Sequence, residues 1–188
     1  AISVRSLLNH TSGLYDYLED QNFVALAYGD PGRSWQPYEL VAYASQFPPS
    51  FPPGSRGSWD YSSTNYVILG MIAEEVTGAS LAQEMRRRIF EPLALDQTYF
   101  APSEAVPEPY ARGYARTGEQ TNVSMSVVFA TANLVSSEEN VARYARRVVV
   151  VGDGAIRADG PAELIMADRK LLEACHLAPP QIVRLSLA

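Results

Sequence analysis

The sequence predicts an α+β fold that is mostly helical, with a β-hairpin and short helices near the C-terminus. Apolar residues recur at helical spacing over residues 37–47 and 81–90, and residues 63–77 are apolar on most sides of a predicted helix. A β-branched run at 148–151 precedes Asp153-Gly154, a dipeptide typical of a two-residue hairpin turn. The 188 residues suit one domain of ordinary size, or one domain with an appendage.

The first two helices are marked by their starting residues. Ser3 is a typical N-cap for a short helix over residues 3–9. Pro37 suits the first turn of the second helix, because a proline there gives up an amide that has no helical partner. Residues 48–60 contain four prolines and two glycines, which predicts a loop without regular structure.

Two consecutive helices follow that loop. The first begins at Ser63 or Thr64 and ends at Gly78, since glycine readily adopts the left-handed conformation of a helix C-cap. Ser80 and Gln83 form the pattern of a capping box for the second helix of this pair, which ends before Pro92.

The second half combines an irregular segment with a helix, a hairpin and further helices. Residues 101–126 are rich in Pro, Gly, Ser and Thr, which predicts an irregular excursion with one short strand. Ser136 or Ser137 can cap the next helix. The hairpin is predicted near residues 148–158, and one or two short helices follow Pro161.

Charge and composition bound the function classes. The formal net charge of −6 argues against nucleic acid or an anionic membrane surface as a partner. No apolar run approaches the roughly 20 residues of a membrane span. Cys175 is the only cysteine, so thiolates cannot build a metal site. No cofactor motif is present, and no signal-peptide pattern begins the chain, so the compartment is not predicted.

Tyr61 stands where the proline-rich loop meets the third helix, next to hydroxyl residues. A phenol has an ordinary pKa of about 10, so it serves as a general base or acid at neutral pH only beside a cationic neighbour. The alternative is structural: Tyr61 is a half-buried aromatic, and Ser62, Ser63 or Thr64 is merely the N-cap. The spacing alone favours the structural alternative.

Four stretches carry a family resemblance. They are ISVRSLLNHTSGL at 2–14, PPGSRGSWDYSSTNYVILGMIAEEVTG at 52–78, LAQEMRRRIFEPLALDQTYF at 81–100 and ANLVSSEENVARYAR at 132–146. In this order they resemble the penicillin-recognising serine hydrolases, a family that includes class C β-lactamases, serine D-alanyl-D-alanine carboxypeptidases and related esterases. The resemblance implies that residues 1–147 form a partial domain, the helical portion of the β-lactamase/transpeptidase-like fold.

The resemblance also implies a catalytic machinery. Family members use a Ser-x-x-Lys nucleophile motif, a Tyr-x-Asn motif, and a Lys or His followed by x-Gly on a strand. Tyr61-Ser62-Ser63 falls on the Tyr-x-Asn position. Tyr61 is then the general base or acid, Ser62 a binding residue, and Ser63 replaces the asparagine with a shorter group that offers fewer donors.

Two of the three family motifs are missing from the 188 residues. Lys170 is the only lysine, and Ala167 stands three positions before it, so there is no Ser-x-x-Lys. Neither His10 nor His176 is followed by x-Gly. We expect His10 to order a loop, and Ser12, in HTSG, to form a turn rather than act as a nucleophile.

These observations predict a hydrolase-family domain that is inactive on its own. The alternatives are a non-catalytic module that binds a peptide-like or acyl ligand, and one part of a split hydrolase completed by another polypeptide. Loss of the family's sheet would expose apolar surface, so self-association is expected. Residues 148–188 resemble the end of an ATP-binding subunit of an energy-coupling-factor or cobalt-type ABC importer, which predicts a tail of separate origin.

Overall fold

The computed structural model describes residues 1–175 except 116–117, 120, 146 and 153–154. Its helices are α1 (Val4–Leu8), α2 (Gln21–Gly29), α3 (Pro37–Ala44), α4 (Ser63–Thr77), α5 (Leu81–Met85), α6 (Glu138–Tyr144), α7 (Ala162–Ala167) and α8 (Arg169–Ala174). The strands are β1 (Thr98–Phe100), β2 (Tyr114–Ala115), β3 (Gly118–Glu119), β4 (Leu134–Ser136), β5 (Arg147–Gly152) and β6 (Ala155–Pro161). They pair as β1 with β4, β2 with β3, and β5 with β6.

Capping explains most helix boundaries. Ser3 caps α1 and forms a capping box with Ser6, and Ser137 caps α6 through the main-chain N–H of Asn140. Gly78 ends α4 in the left-handed conformation, with φ of 67°. These ends confirm the predicted caps. The helices that end at these caps differ in length from the predicted helices by a few residues, as is usual where terminal turns are loose.

Two local predictions need correction. The helix after Ser80 is α-helical only through α5, and a π-helical turn follows at Arg86–Phe90, closed by the Glu91 N–H donating to the Arg86 carbonyl at 2.9 Å. In residues 101–126 there are two short strands rather than one, because β2 and β3 pair antiparallel with each other.

The hairpin near the C-terminus is confirmed by the antiparallel pairing of β5 with β6. Val148 lies opposite Gly160, and the register shifts between Val150 and Val151. The predicted Asp153-Gly154 turn lies outside the described residues.

The chain divides into two compact units: residues 1–84 with 100–134, and residues 85–99 with 135–188. This division differs from the predicted one into 1–147 and 148–188. Compactness does not report the origin of a segment, so the predicted division stays a prediction. Among the described helices, none has the length and apolarity of a membrane-spanning segment.

The first unit has an aromatic core. Its buried members come from the segment before α2, from α2 to α4, and from the segment after β3: Tyr17, Phe23, Ala27, Trp35, Leu40, Ala44, Val67 and Val127. The Tyr17 hydroxyl donates to the Val127 carbonyl at 2.8 Å, which joins chain positions 110 residues apart inside the core. Burial, above all, raises the pKa of Tyr17, so the phenol stays a neutral donor.

Asp20 organises the start of α2. Its carboxylate accepts the main-chain N–H groups of Phe23 and Asn22 and the hydroxyls of Tyr43 and Tyr15. The Phe23 N–H makes the largest contribution to lowering the pKa of Asp20. The carboxylate therefore both caps α2 and ties it to two tyrosines of the same unit.

The second unit is held around β1 and α6. Buried Asn140 donates from Nδ2 to the Thr98 hydroxyl at 3.2 Å, and the Ser137 N–H donates to the Gln97 carbonyl. The Arg143 guanidinium donates to the Ala94 carbonyl at 2.6 Å. These bonds connect α6 to the segment before β1.

Candidate functional site

Tyr61 lies at the entrance to α4, where the loop over residues 48–62 ends. Ser62 precedes the helix in an extended conformation, with φ of −150° and ψ of 121°. The Tyr61 side chain is 48% exposed, whereas the next four residues of the chain are buried. The phenol is therefore presented to solvent from a rigid, buried helix start.

Aromatic rings surround the imidazole of His10. The Tyr61 ring stacks on it with centroids 4.5 Å apart and planes tilted by 30°. The Tyr66 ring stacks at 5.4 Å, and Trp59, itself largely exposed, makes an edge contact at 6.2 Å. The phenol ring of Tyr61 therefore lies against the imidazole ring of His10.

The main chain on both sides of Tyr61 is bonded to His10. The Asp60 N–H donates to the His10 carbonyl at 3.1 Å, and the Ser62 N–H donates to His10 Nδ1 at 3.2 Å. A main-chain N–H can only donate, so Nδ1 is the acceptor and the proton of the neutral ring lies on Nε2. The expectation that His10 orders a loop agrees with these bonds.

A buried hydrogen-bond chain supports that arrangement. Asn65 Nδ2 lies 3.1 Å from His10 Nδ1 and donates to it, while Asn65 Oδ1 accepts from the Ser12 hydroxyl at 2.5 Å. Ser12 Oγ in turn accepts the N–H of Leu14 at 3.1 Å, a turn as the HTSG pattern predicts. Both Ser12 and Asn65 are buried, so this chain is shielded from water.

The hydroxyls of Ser62 and Ser63 point into the first unit. Ser62 is fully buried and donates to the Tyr15 carbonyl at 3.2 Å, and Ser63 donates to Asp16 Oδ2 at 3.3 Å. The structure thus brings Tyr61 to the surface and places the two predicted serine positions in the interior. A role for Ser62 or Ser63 in binding a substrate stays a prediction.

Asn65 is the site residue that the sequence does not predict. It belongs to the stretch STN at the start of α4, which reads as ordinary capping sequence. Its partners His10 and Ser12 lie more than 50 positions earlier in the chain, so no local pattern links them. The aromatic residues clustered in SWDYSSTNY were the available signal for a contact surface.

The described residues hold no group of three or more His, Cys, Asp or Glu side chains that could bind a metal. The groups that this corner presents are a surface phenol and its hydrogen-bonded frame. A phenol at such a position can relay a proton if a cationic partner approaches it.

Comparison with known protein families identifies the family of this chain. The family model described as Beta-lactamase matches residues 1–175. The chain belongs to the β-lactamase family. This membership confirms the kinship with penicillin-binding proteins and related serine hydrolases that the four stretches predict.

Several relatives match part of this chain. Penicillin-binding protein 4* of Bacillus subtilis strain 168 is 30% identical over 122 residues, which are 60% of this chain and 25% of the relative. The D-stereospecific amidohydrolase from Streptomyces sp. has 35% identity and a TM-score of 0.70, and the match covers 77% of this chain and 46% of that chain. The D-amino acid amidase from Ochrobactrum anthropi SV3 has 31% identity and a TM-score of 0.63, with coverages of 76% and 42%. The chain thus spans a quarter of the curated relative and under half of these structures.

The family match also bears on the segment after residue 147. The β-lactamase family model continues to residue 175, beyond the predicted end of the hydrolase-like part. None of these matches supports a resemblance of residues 148–188 to an ABC importer subunit.

Proposed function

We propose that this chain carries the tyrosine-bearing part of the acyl-transfer site of a serine hydrolase, with Tyr61 as the group that moves a proton. The observation that carries the proposal is the half-exposed phenol of Tyr61 on a hydrogen-bonded, buried helix entrance. A proton-transfer group needs access to the reacting atoms together with a fixed position, and Tyr61 combines both.

The substrate class that we propose is an acyl compound of the β-lactam, peptide, ester or amide type, with D-amino acid amides as the first compounds to test. Two structures similar to this chain are named as a D-stereospecific amidohydrolase and a D-amino acid amidase. Both resemble the chain over about three quarters of its length. Their names support the choice of probe for this chain.

The reaction needs a serine nucleophile and a lysine that the 188 residues do not combine in one motif. We therefore propose that these groups act from outside this sequence, and that the 188-residue chain alone forms no acyl-enzyme. Incubation with a fluorescent penicillin and with a fluorophosphonate, followed by intact mass measurement, is expected to leave the mass unchanged. An adduct on any serine would overturn this part of the proposal.

The role of Tyr61 can be tested by restoring the missing groups. A fusion that adds the two family motifs missing from this chain, a Ser-x-x-Lys segment upstream of residue 1 and a strand carrying Lys-x-Gly or His-x-Gly, is expected to give an acylable protein. In that fusion, Tyr61→Phe should slow acylation by about 10²-fold, the usual contribution of a general acid or base. Tyr38→Phe removes the hydroxyl of another exposed tyrosine, on α3, and serves as the control, with no change in rate expected. Equal rates for the fusion with and without Tyr61→Phe would refute the role.

A second candidate function is ligand binding without turnover, favoured by the exposed rings of Trp59 and Tyr61 around His10. Exposed, clustered aromatic residues are typical of binding surfaces. Saturable binding of D-phenylalaninamide to the 188-residue chain, followed by tryptophan fluorescence and weakened by Tyr61→Phe, would favour this candidate. A Trp59→Phe control separates the signal of Trp59 from that of buried Trp35.

We also propose self-association, because large apolar side chains such as Val76 and Leu164 are more than two-thirds exposed. Light scattering is expected to give a mass above that of one chain. A stable monomer at high concentration would refute it.

A further inference from the structure

His10 holds the residues on both sides of Tyr61, although it lies about fifty positions earlier in the chain. Its carbonyl accepts the N–H of Asp60, and its Nδ1 accepts the N–H of Ser62. These two bonds fix the main chain immediately before and after Tyr61. The Tyr61 ring packs on the face of the imidazole at 4.5 Å.

We propose that His10, in its Nε2–H tautomer, is the positioning residue for Tyr61. It acts through two separable contacts: Nδ1 accepts a hydrogen bond from the main chain, and the flat imidazole ring packs against the phenol ring. The importance of this positioning for proton transfer rests on the function proposed above for Tyr61. The contacts themselves are a property of the first unit and can be tested without any substrate.

The conformation of His10 supports a dedicated role. Its φ is +57°, in the left-handed region that non-glycine residues seldom adopt, although histidine and asparagine tolerate it better than most. Strained conformations of this kind persist where surrounding contacts hold them. Here the contacts are the His10 N–H to the Leu7 carbonyl and the bonds to residues 60 and 62.

The tautomer of His10 is set from the buried side. Asn65 donates its amide N–H to Nδ1, and its Oδ1 accepts from the Ser12 hydroxyl, in agreement with the Ser62 N–H, which can only donate to Nδ1. Nδ1 therefore receives two donors, from Asn65 and Ser62. A side chain that merely fills space would not need this orientation, since either tautomer would pack equally well.

Two substitutions separate the acceptor from the ring. In His10→Asn, the amide oxygen can still accept from Ser62 and the left-handed backbone is tolerated, but the flat ring is lost. In His10→Phe, the ring remains but nothing accepts from Ser62. A purely structural role would make both variants perturb Tyr61 and Ser62 together.

The experiment is NMR spectroscopy of the isotopically labelled 188-residue chain. In the unsubstituted protein we expect imidazole ¹⁵N shifts of an Nε2–H tautomer, a slowly exchanging Ser62 amide, and Tyr61 ring protons shifted by the stacked imidazole. His10→Asn should return the Tyr61 ring shifts to those of an unstacked tyrosine and change Ser62 exchange less than about threefold. His10→Phe should keep a ring-induced shift and accelerate Ser62 exchange at least about tenfold.

An Nδ1–H tautomer in the unsubstituted protein would overturn the proposal, and this readout stands even if His10→Phe fails to fold. Unchanged Tyr61 shifts in His10→Asn would also overturn it. A titration with D-phenylalaninamide on the same samples reports separately on the proposed function. Absence of binding and of acylation in the fusion, with the expected shifts, would refute the proposed function while leaving the positioning of Tyr61 supported.

Discussion

Gly13→Ala perturbs the closest approach in the first unit, between the HTSG turn and the proline-rich loop. Gly13 has φ of +75°, and a Cβ built there would lie 2.1 Å from the Phe51 carbonyl oxygen. The same two segments are joined by the Ser50 N–H donating to the Gly13 carbonyl at 2.9 Å. Alanine therefore cannot be accommodated unless the segments move apart by about 1 Å.

The magnitude follows from three contributions. A left-handed backbone costs a non-glycine residue about 1–2 kcal/mol. Forcing an extra methyl into a packed contact costs about 1–3 kcal/mol, and weakening the Ser50 hydrogen bond costs about 1 kcal/mol. Gly54 provides a matched control, because it has φ of +87° but no heavy atom within 4 Å of a built Cβ. Gly54→Ala should carry only the backbone contribution.

The assay is urea unfolding of the two variants and the unsubstituted chain, followed by circular dichroism and tryptophan fluorescence. Gly13→Ala is expected to lower the free energy of unfolding by about 2–4 kcal/mol more than Gly54→Ala, with an unchanged m-value. The usual limit of additivity is about 0.5 kcal/mol. If the free energies of unfolding of the two variants agree within that limit, the close approach of Gly13 to Phe51 is not a feature of the folded chain.

Three further predictions concern the same unit. Gly70→Ala should destabilise it by about 1–3 kcal/mol, because the new Cβ would lie 2.7 Å from the side chains packed on α4. Gly29→Ala, where the new Cβ meets open space, should be neutral or stabilising by about 0.5 kcal/mol. Urea unfolding distinguishes the two variants. Tyr17→Phe should cost about 1–2 kcal/mol in the same assay, because it leaves a buried carbonyl without its donor, and exposed Tyr38→Phe should cost nothing measurable. The folded-state pKa of Asp20 is lowered, so its stabilising contribution is present above the unfolded-state pKa and is lost as pH falls through the folded-state pKa. Asp20→Asn should therefore flatten the acid limb of a profile of unfolding free energy against pH. An unchanged acid limb would refute the assignment.

Helix boundaries were predictable because they depend on neighbouring residues. Ser3, Gly78 and Ser137 act within three or four positions, and the structure places each at the predicted helix end. Helix α2 had no such prediction, although Asp20 is a typical N-cap. Its buried residues are only Phe23 and Ala27, so the apolar pattern is too short to stand out from the loop around it.

The site was predictable only in part, for the same reason. Tyr61 could be singled out because its motif is contiguous. The partnership of His10, Ser12 and Asn65 depends on contacts across more than fifty residues, and a hydrogen bond between distant side chains leaves no periodicity in the sequence. The π-helical turn at Arg86–Phe90 was likewise invisible, since its residues suit an α-helix equally well.

The corner around Tyr61 is complete within a short part of the chain. The contacts of His10 and Ser12 that support it reach residues 60–66 inside one compact unit. The phenol is therefore already placed before any nucleophile, lysine or ligand is present. A preorganised group adds no reorganisation cost when the remaining groups arrive. The Tyr61 frame should therefore look the same in the 188-residue chain as in an acylable fusion that supplies the two missing motifs. A difference in the Tyr61 ring shifts between those two proteins would show instead that the corner is shaped by the groups that the 188 residues lack.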